Sequence, residues 1–345
     1  MRNGYWFFIV LLSFSAFPWK ANAWGERGHH TVCDEASRLV TEPVLRDFLK
    51  TRGHIMGHAC NVPDIHWKSL PPDVSGIGNP THYIEPDMLG LSIKDTPTDF
   101  SDFIAKLSTL GDASQLVHKV GTLWWRADQL FNLAVKSATN IAPSALPTNS
   151  MEEQLNSLPY NEAIYGMMTN MGIMGHFLGD ASMPYHNLAD YDGYGAGRGG
   201  IHAYYESICP GEFGSELGVD VRDVAMKLPK YASNTKVTTV LKKISQDAVD
   251  DLGALEKLDV ILEPSTQAVN EHGMTIKKPA LRPAPAEQCQ NFRPLIVLEI
   301  ARSAKGLAYL WDQIYIKAGK PNLAAYKSYR YPLTPDFVRP EYLGQ

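Results

Sequence analysis

Two pairs of metal-binding residue types in the middle of the chain most constrain its fold. His176 and Asp180 are four residues apart, and so are His202 and Glu206. On an α-helix, residues four apart lie one above the other on the same face, so each pair can direct two ligands at one ion. His186 lies between the pairs, which brings five such residues within 31 positions. The spacing predicts a helical protein built around a metal site.

The residue types favour a catalytic zinc site. Imidazole together with carboxylate is a ligand set that zinc takes in catalytic sites, whereas closed structural sites favour cysteine-rich tetrahedra. A binding or adhesion module with structural zinc is the alternative from another functional class. Such a module would show no zinc-dependent turnover of a substrate.

Residues 1–23 have the pattern of a secretory signal peptide. Arg2 is the charged start, residues 5–17 form an apolar core too short to span a bilayer comfortably, and residues 21–23 (Ala-Asn-Ala) form a small-x-small cleavage site. Cleavage there leaves Trp24 as the mature N-terminus. The sequence therefore predicts a secreted or periplasmic protein, with an uncleaved anchor as the alternative.

The composition fits an exported globular protein. The chain has 345 residues, 44% of them hydrophobic, and no second apolar run of membrane length. It carries 32 basic and 37 acidic residues, without a basic run of the kind that marks a nucleic-acid surface. This counts only mildly against a nuclease, because bound zinc ions supply positive charge locally.

Apolar residues recur at helical spacing through most of the chain. The pattern predicts helices over residues 36–50, 114–137, 160–179, 236–255 and 291–316. Residues 160–179 are rich in Met and Ile, which indicates a central helix buried nearly all round. No alternating run of period two appears. We expect an all-α fold, a single multi-helix domain over residues 24–325.

Pro, Gly, Ser and Asn gather at several predicted breaks. These lie at residues 73–80, 141–150 and 263–287, and residues 326–345 form an aromatic, Pro-rich tail that we expect to be non-helical. Gly-rich residues 193–200 predict a flexible lip of the active site, from which Arg198 could reach a phosphate.

The chain has four cysteines, Cys33, Cys60, Cys209 and Cys289. An even count in an exported chain predicts two disulfides, with three possible pairings. Proximity in the sequence favours Cys33–Cys60 and Cys209–Cys289. No CxxC motif occurs, so we do not expect cysteines to bind metal.

Several motifs together resemble the zinc-dependent phospholipase C and S1/P1 nuclease superfamily. They are a mature N-terminal Trp, a His soon after it, an HxxGD motif followed by a further His, and a final HxxxE. Here these are Trp24, His29, His176 with Asp180, His186, and His202 with Glu206. The resemblance implies an all-α fold with a zinc cluster at the bottom of a cleft. It also implies that Trp24 binds zinc through its free amine and its carbonyl, so that processing would complete the site.

The resemblance implies two further ligands upstream. His82, in Thr-His-Tyr-Ile-Glu, is similar to the family's second histidine, and Asp64 to the aspartate before it, with Asp73 as a rival. His29 has an adjacent rival in His30.

Carried over to this sequence, the family pattern implies three zinc ions. Asp64, His82, His176 and Asp180 would surround one; Trp24, His29 and the shared Asp180 a second; His186, His202 and Glu206 the third. Asp64 is also expected to accept a proton from the attacking water. The implied reaction is phosphoester hydrolysis by a metal-activated water, without a side-chain nucleophile.

The motif details point to two different substrates. Two features resemble the phospholipases: Glu206 as the last ligand and the short gap between His186 and His202. Two others resemble the nucleases: the opening Trp24-Gly-x-x-Gly-His29 and the segment His82-Tyr-Ile-Glu. The nuclease branch carries Lys or Arg three residues after the first aspartate; here Lys68 comes one step late.

We expect a phospholipase C that acts on a phosphatidylcholine-like glycerophospholipid at a membrane surface. The alternative is an S1/P1-type nuclease or 3′-nucleotidase acting on single-stranded nucleic acid. Aromatic residues near the ligands fit either a choline cage or base stacking, although core packing explains most of them better. No protein partner is predicted.

Overall fold

The computed structural model describes residues 24–331 and 334–344. The predicted signal peptide, residues 1–23, lies outside the described residues. Among the helices of the described part, none is long and apolar enough to cross a membrane.

Helices make up most of the described chain. They are α1 (Gly25–Leu39), α2 (Pro43–Leu49), α3 (Gly53–Ile65), α4 (Pro72–Gly78), α5 (Phe100–Ser108), α6 (Ala113–Val120), α7 (Leu123–Thr139), α8 (Ser150–Gln154), α9 (Pro159–Ser182), α10 (Ile201–Ala203), α11 (Cys209–Glu212), α12 (Glu216–Lys227), α13 (Val237–Leu258) and α14 (Pro285–Lys317). A π turn, Tyr204–Ile208, joins α10 to α11. The strands found in residues 24–331 and 334–344 form one hairpin, β1 (Thr266–Val269) and β2 (Thr275–Lys278). The structure is thus mostly helical, as predicted.

Helix α9 forms the centre of the molecule. Its Met- and Ile-rich sequence has no polar face, and residues 171–182 are all buried. Helices α7, α3, α14, α13 and α1 pack around it. Pro159 starts the helix at its first position, and Met183 leaves the helical conformation before Pro184. His176 and Asp180 are therefore held in the interior of the bundle.

Two predicted helices are each divided in the structure. The helix expected over residues 36–50 is interrupted at residues 40–42, because Pro43 restricts the residue before it and starts α2 at its own first position. The helix expected over residues 114–137 is interrupted at Gly121, whose φ of 89° only glycine adopts readily. The apolar period continues across both interruptions, so the pattern does not reveal them.

Two further predictions were wrong in detail. Most of the break expected at residues 73–80 is helix α4. Residues 263–287 contain the hairpin, in which Thr266 pairs with Lys278 and Val269 with Thr275. Every strand residue is exposed. A hairpin solvated on both faces needs no apolar alternation, so the pattern contains no signal for it.

One of the two predicted disulfides is present. Cys209 is bonded to Cys289 and links α11 to α14. The predicted Cys33–Cys60 bond is wrong for this structure, since both are free, buried thiols. They come from α1 and α3 and lie against Gly175 of α9, where they pack as small apolar groups. Burial and the neighbouring Cys33 thiol raise the pKa of Cys60 well above its usual range.

In the C-terminal tail, the described residues 326–331 and 334–344 are non-helical except for one 3-10 turn, Glu341–Leu343. Two buried arginines hold it to the helices. Arg52 donates to the carbonyl of Tyr326 and Arg126 to that of Val338. The Arg126 guanidinium also lies between the rings of Trp67, Phe177 and Phe337. The tail is therefore part of the packed body.

Candidate metal centre

Six separate segments bring the predicted ligands to one region. His29 lies on α1, Asp64 near the end of α3, and His176 and Asp180 one turn apart on α9. His82 and His186 lie at short 3-10 turns, Asn79–Thr81 and Pro184–Asn187, and His202 and Glu206 lie on α10 and the π turn. All eight side chains are buried.

The first group consists of His29, His176 and Asp180. His29 Nε2 lies 3.4 Å from Asp180 Oδ1, and the rings of His29 and His176 stack with centroids 3.9 Å apart. Burial by itself would lower the pKa of His29, but Asp180 and the Cys60 thiol raise it to about 10. The Asp180 carboxylate therefore strongly favours a positive charge beside it.

The second group consists of Asp64, His82 and His176. His176 Nε2 lies 3.5 Å from Asp64 Oδ1, and His82 Nδ1 lies 3.0 Å from Asp180 Oδ2. His176 therefore belongs to two groups, and Asp180 contacts the histidines of both. Two neighbouring ions could share this carboxylate.

The third group consists of His186, His202 and Glu206. His202 Nε2 lies 3.1 Å from Glu206 Oε1, and His186 Nε2 lies 3.5 Å from Glu206 Oε2. The Glu206 carboxylate contacts the rings of both His186 and His202, so one ion between the three side chains would have three ligands.

Trp24, the ninth predicted ligand, is fully buried beside the third group. Its main-chain nitrogen donates to Glu206 Oε2 at 3.0 Å, and its indole donates to the carbonyl of Gly179 at 2.7 Å. Its own carbonyl accepts from the nitrogen of Gly28. The resemblance implied an ion shared with His29 and Asp180, whereas here the nitrogen lies against Glu206.

The tautomers of two histidines test whether the third group fits a metal. His186 Nδ1 lies 2.7 Å from the carbonyl of His82, and His202 Nδ1 lies 2.6 Å from that of Tyr191. Each carbonyl requires a proton on that Nδ1, which leaves a lone pair on Nε2 of each ring when it is neutral. The two Nε2 atoms are only 3.1 Å apart. Two facing lone pairs repel each other, and either a proton on one ring or a metal ion between the two rings removes the conflict.

Unpartnered carboxylate oxygens support the same fit. Asp180 Oδ1 and Glu206 Oε1 are buried, and the histidine nitrogens beside them, at 3.4 and 3.1 Å, form no well-aligned hydrogen bond to them. Such groups are costly in a protein interior unless hydrogen bonds or a metal satisfy them. The three groups could therefore hold three metal ions, and their His and carboxylate donors are a set that zinc accepts.

Lys68 is a site residue whose importance the sequence pattern understated. Its Nζ lies 2.5 Å from Asp64 Oδ1. Burial would raise the pKa of Asp64, but Lys68, His176 and His82 hold it well below its usual range. Helix α3 ends at Ile65 and a 3-10 turn follows, so the late position of Lys68 still brings it back to Asp64.

A cavity of about 740 Å³ opens beside the groups. Among the residues that line it are His82, His186, His202, Lys68, Lys119, Glu85, Tyr83, Tyr185 and Tyr191. Its size is typical of a small-molecule site. Burial and the neighbouring Asp87 raise the pKa of Glu85 to about 8. Lys119 comes from α6 and had no motif in the sequence to reveal it.

The two rival ligands lie elsewhere. Asp73 is exposed on α4, and His30 is half-buried against Gly57; neither belongs to a group among the described residues. The role suggested for Arg198 is wrong, because its guanidinium pairs with Asp259 at 3.1 Å. That pairing holds the Gly-rich loop against the end of α13.

Comparisons with known proteins add no identification. No family model matches the chain, and a search of curated proteins finds no match.

Proposed function

We propose that this protein is a zinc-dependent phosphoric ester hydrolase of the phospholipase C and S1/P1 nuclease type. Its proposed reaction is hydrolysis of the phosphodiester of a glycerophospholipid such as phosphatidylcholine. The observation that carries the proposal is the convergence of three His and carboxylate groups beside one cavity. A phosphate with its headgroup fits a cavity of this size.

The residues of the site have separate roles in this proposal. Zinc, when bound, lowers the pKa of a water toward neutrality and neutralises phosphate oxygens. His82, His186 and His202 reach the cavity wall, so the ligands and the substrate meet there. Asp64 is the proposed proton acceptor. Lys68 contacts its Oδ1, which orients the carboxylate and leaves Oδ2 for the proton.

The cavity wall favours a choline headgroup. Tyr83, Tyr185 and Tyr191 line it together with Glu85. Aromatic faces attract quaternary ammonium groups. A bound cation would also lower the pKa of Glu85 and favour its carboxylate form.

A nuclease or 3′-nucleotidase is the second candidate. Lys68 and Lys119 line the same cavity as Tyr83. Lysines attract phosphates, and an aromatic ring allows a nucleobase to stack. The two candidates share the metal chemistry and differ in the leaving group.

Parallel assays separate the candidates. The zinc-loaded mature protein should hydrolyse phosphatidylcholine, and a chelator should abolish this. Single-stranded DNA, RNA and 3′-nucleotides are tested in the same buffer. Cleavage of nucleic acid without lipid turnover would establish the second candidate. No zinc-dependent turnover of any substrate would indicate a binding module.

A further inference from the structure

The hairpin carries an unusual concentration of exposed apolar side chains. Val269 is 68% exposed, and Met274 and Ile276 are each 58% exposed. Ile276 pairs with Ala268, while Val269 pairs with Thr275, so the apolar residues lie on both faces. Nearby, Leu262 and Leu281 are also exposed.

Exposed apolar residues on an isolated hairpin require an explanation. A two-stranded hairpin is only marginally stable in water unless it packs on something. Here every strand residue is exposed. Several large apolar side chains exposed on one element of a folded protein indicate a surface that binds a partner or a membrane.

The base of the hairpin is attached to the loop that leads into the metal site. The nitrogen of Ser265 donates to the carbonyl of Gly197, and that of Ala280 to the carbonyl of Gly199. The Ser265 hydroxyl accepts from the nitrogen of Gly199. Three residues after Gly199, the chain reaches His202. A surface bound by the hairpin therefore lies next to the third metal group.

A lysine of the hairpin also reaches the rim of the cavity. Lys277 Nζ lies 4.6 Å from the ring centroid of Tyr194 and 5.8 Å from that of Tyr191. Tyr191 lines the cavity. Tyrosine and lysine side chains are favoured at the boundary between water and lipid, because each combines an apolar body with a polar end.

The charges of the hairpin match a zwitterionic lipid surface. Glu263 and Glu271 are balanced by Lys277 and Lys278, whereas the whole chain has a formal charge of −5. Glu263 and Lys278 pair with each other at 3.2 Å, which leaves Glu271 to suit choline groups and Lys277 to suit lipid phosphates. A nucleic-acid strand would be recognised by an excess of basic residues, which this segment lacks.

We propose that the hairpin docks the protein on a phosphatidylcholine surface, with Val269, Met274 and Ile276 entering the headgroup layer. This inference rests on the proposed lipid substrate and adds how the enzyme reaches it. Burial of these side chains would hold the cavity over the membrane, so that a headgroup enters from the rim formed by Tyr191.

A matched pair of triple variants tests the inference in the zinc-loaded mature protein. The hairpin variant carries V269T, M274Q and I276T. The control carries V219T, M226Q and I316T, which make the same chemical changes at exposed positions on α12 and α14. Binding is measured by sedimentation with sucrose-loaded phosphatidylcholine vesicles. Activity is measured on vesicles and on water-soluble short-chain phosphatidylcholine.

The hairpin variant should bind vesicles at least about tenfold more weakly than wild type, and its turnover of vesicles should fall accordingly. Its kcat/KM on short-chain monomers should stay unchanged, and the control should match wild type in both assays. Near-UV circular dichroism checks that both variants are folded. Unchanged vesicle binding by the hairpin variant, or equal loss in the control, would overturn the inference.

Two outcomes separate the inference from the proposed function. If wild type turns over monomers but does not bind vesicles, the docking inference fails and the lipid hydrolase stands. If wild type binds vesicles through the hairpin but hydrolyses no lipid, the docking surface stands and the proposed reaction fails. Hairpin-dependent binding of single-stranded DNA or of a second copy, without vesicle binding, would also overturn the docking inference.

Discussion

At the scale of single residues, Asp180 contacts two of the three candidate metal groups. Its carboxylate lies 3.0 Å from His82 and 3.4 Å from His29. Glu206 contacts the rings of the third group alone, His186 and His202. The two acids should therefore differ in how many ions each helps to hold.

We predict that Asp180→Asn loses two metal ions per chain and Glu206→Gln loses one. An amide keeps the shape of the carboxylate but removes its negative charge, so each ion that depended on the charge is released. Metal content is measured by inductively coupled plasma mass spectrometry after dialysis against buffer with trace zinc. A full complement of metal in Asp180→Asn would contradict the bridging role.

Glu299 is a buried acid outside the three groups. It is fully buried on α14 and accepts a hydrogen bond from the Tyr205 hydroxyl at 2.7 Å. Burial raises the pKa of Glu299 well above its usual range and thereby favours the neutral form of the acid. Tyr205 immediately precedes Glu206, which links this pair to the third group.

We predict that Glu299→Ala lowers the free energy of unfolding by about 2–4 kcal/mol, because it leaves a cavity and removes the partner of the Tyr205 hydroxyl. Glu299→Gln keeps the volume and an acceptor oxygen, so it should cost less than half as much. Urea unfolding of the zinc-loaded protein measures both. Equal losses in the two variants would show that the hydrogen bond contributes nothing.

The junction of α6 and α7 is an element-scale feature that shapes the cavity. Gly121 ends α6 with a φ of 89°, and a Cβ at this position would lie 2.2 Å from the carbonyl oxygen of Tyr83. Tyr83 lines the cavity. The break between the helices thus allows the segment after His82 to approach closely.

We predict that Gly121→Ala destabilises the protein by about 2–4 kcal/mol, since it combines backbone strain with a steric clash. Gly253→Ala in α13 is the matched control. It meets no atom within 4 Å and should be neutral or slightly stabilising, because alanine favours helix. Thermal unfolding measures both. A Gly121→Ala protein as stable as the control would refute the close approach.

At the scale of the whole molecule, the three candidate metal groups connect segments that lie far apart in the chain. Their ligands come from α1, α3, α9, α10 and the turns between them. Buried carboxylates such as Asp180 and Glu206 keep unpartnered oxygens among the described residues. Bound ions would therefore cross-link these segments and satisfy the oxygens.

We predict that chelation of zinc lowers the melting temperature by about 10 °C or more, because ions that bind only the folded state stabilise it. Differential scanning calorimetry with EDTA, followed by added zinc, measures the loss and its recovery. Calcium added in place of zinc is the control and should not restore the melting temperature. An unchanged melting temperature after verified metal removal would count against ions in the core.

The position of Trp24 predicts that removal of the signal peptide affects the activity of the protein. Its nitrogen lies 3.0 Å from Glu206 Oε2, inside the buried cluster. A protein that starts with one residue before Trp24 should have activity reduced at least about tenfold, because an amide nitrogen has no lone pair for a metal. One residue added after Gln345 is the control. Full activity of the N-terminally extended protein would disprove the amine ligand.

The sequence by itself determined the helical character and which residues are candidate metal ligands. Helical spacing and four-residue pairs are local properties, so residues 160–179 and the pairs of His176 and His202 were readable without a fold. Eight of the nine predicted ligands fall in the three groups.

Only the tertiary structure decided the remaining features. The free thiols of Cys33 and Cys60, the pairing of Arg198 with Asp259, and the presence of Lys119 and Glu85 at the cavity depend on distances between segments far apart in the chain. The hairpin has no buried face, so it left no periodic pattern. Local spacing reports which residues share a face of one element, whereas packing alone determines which faces meet.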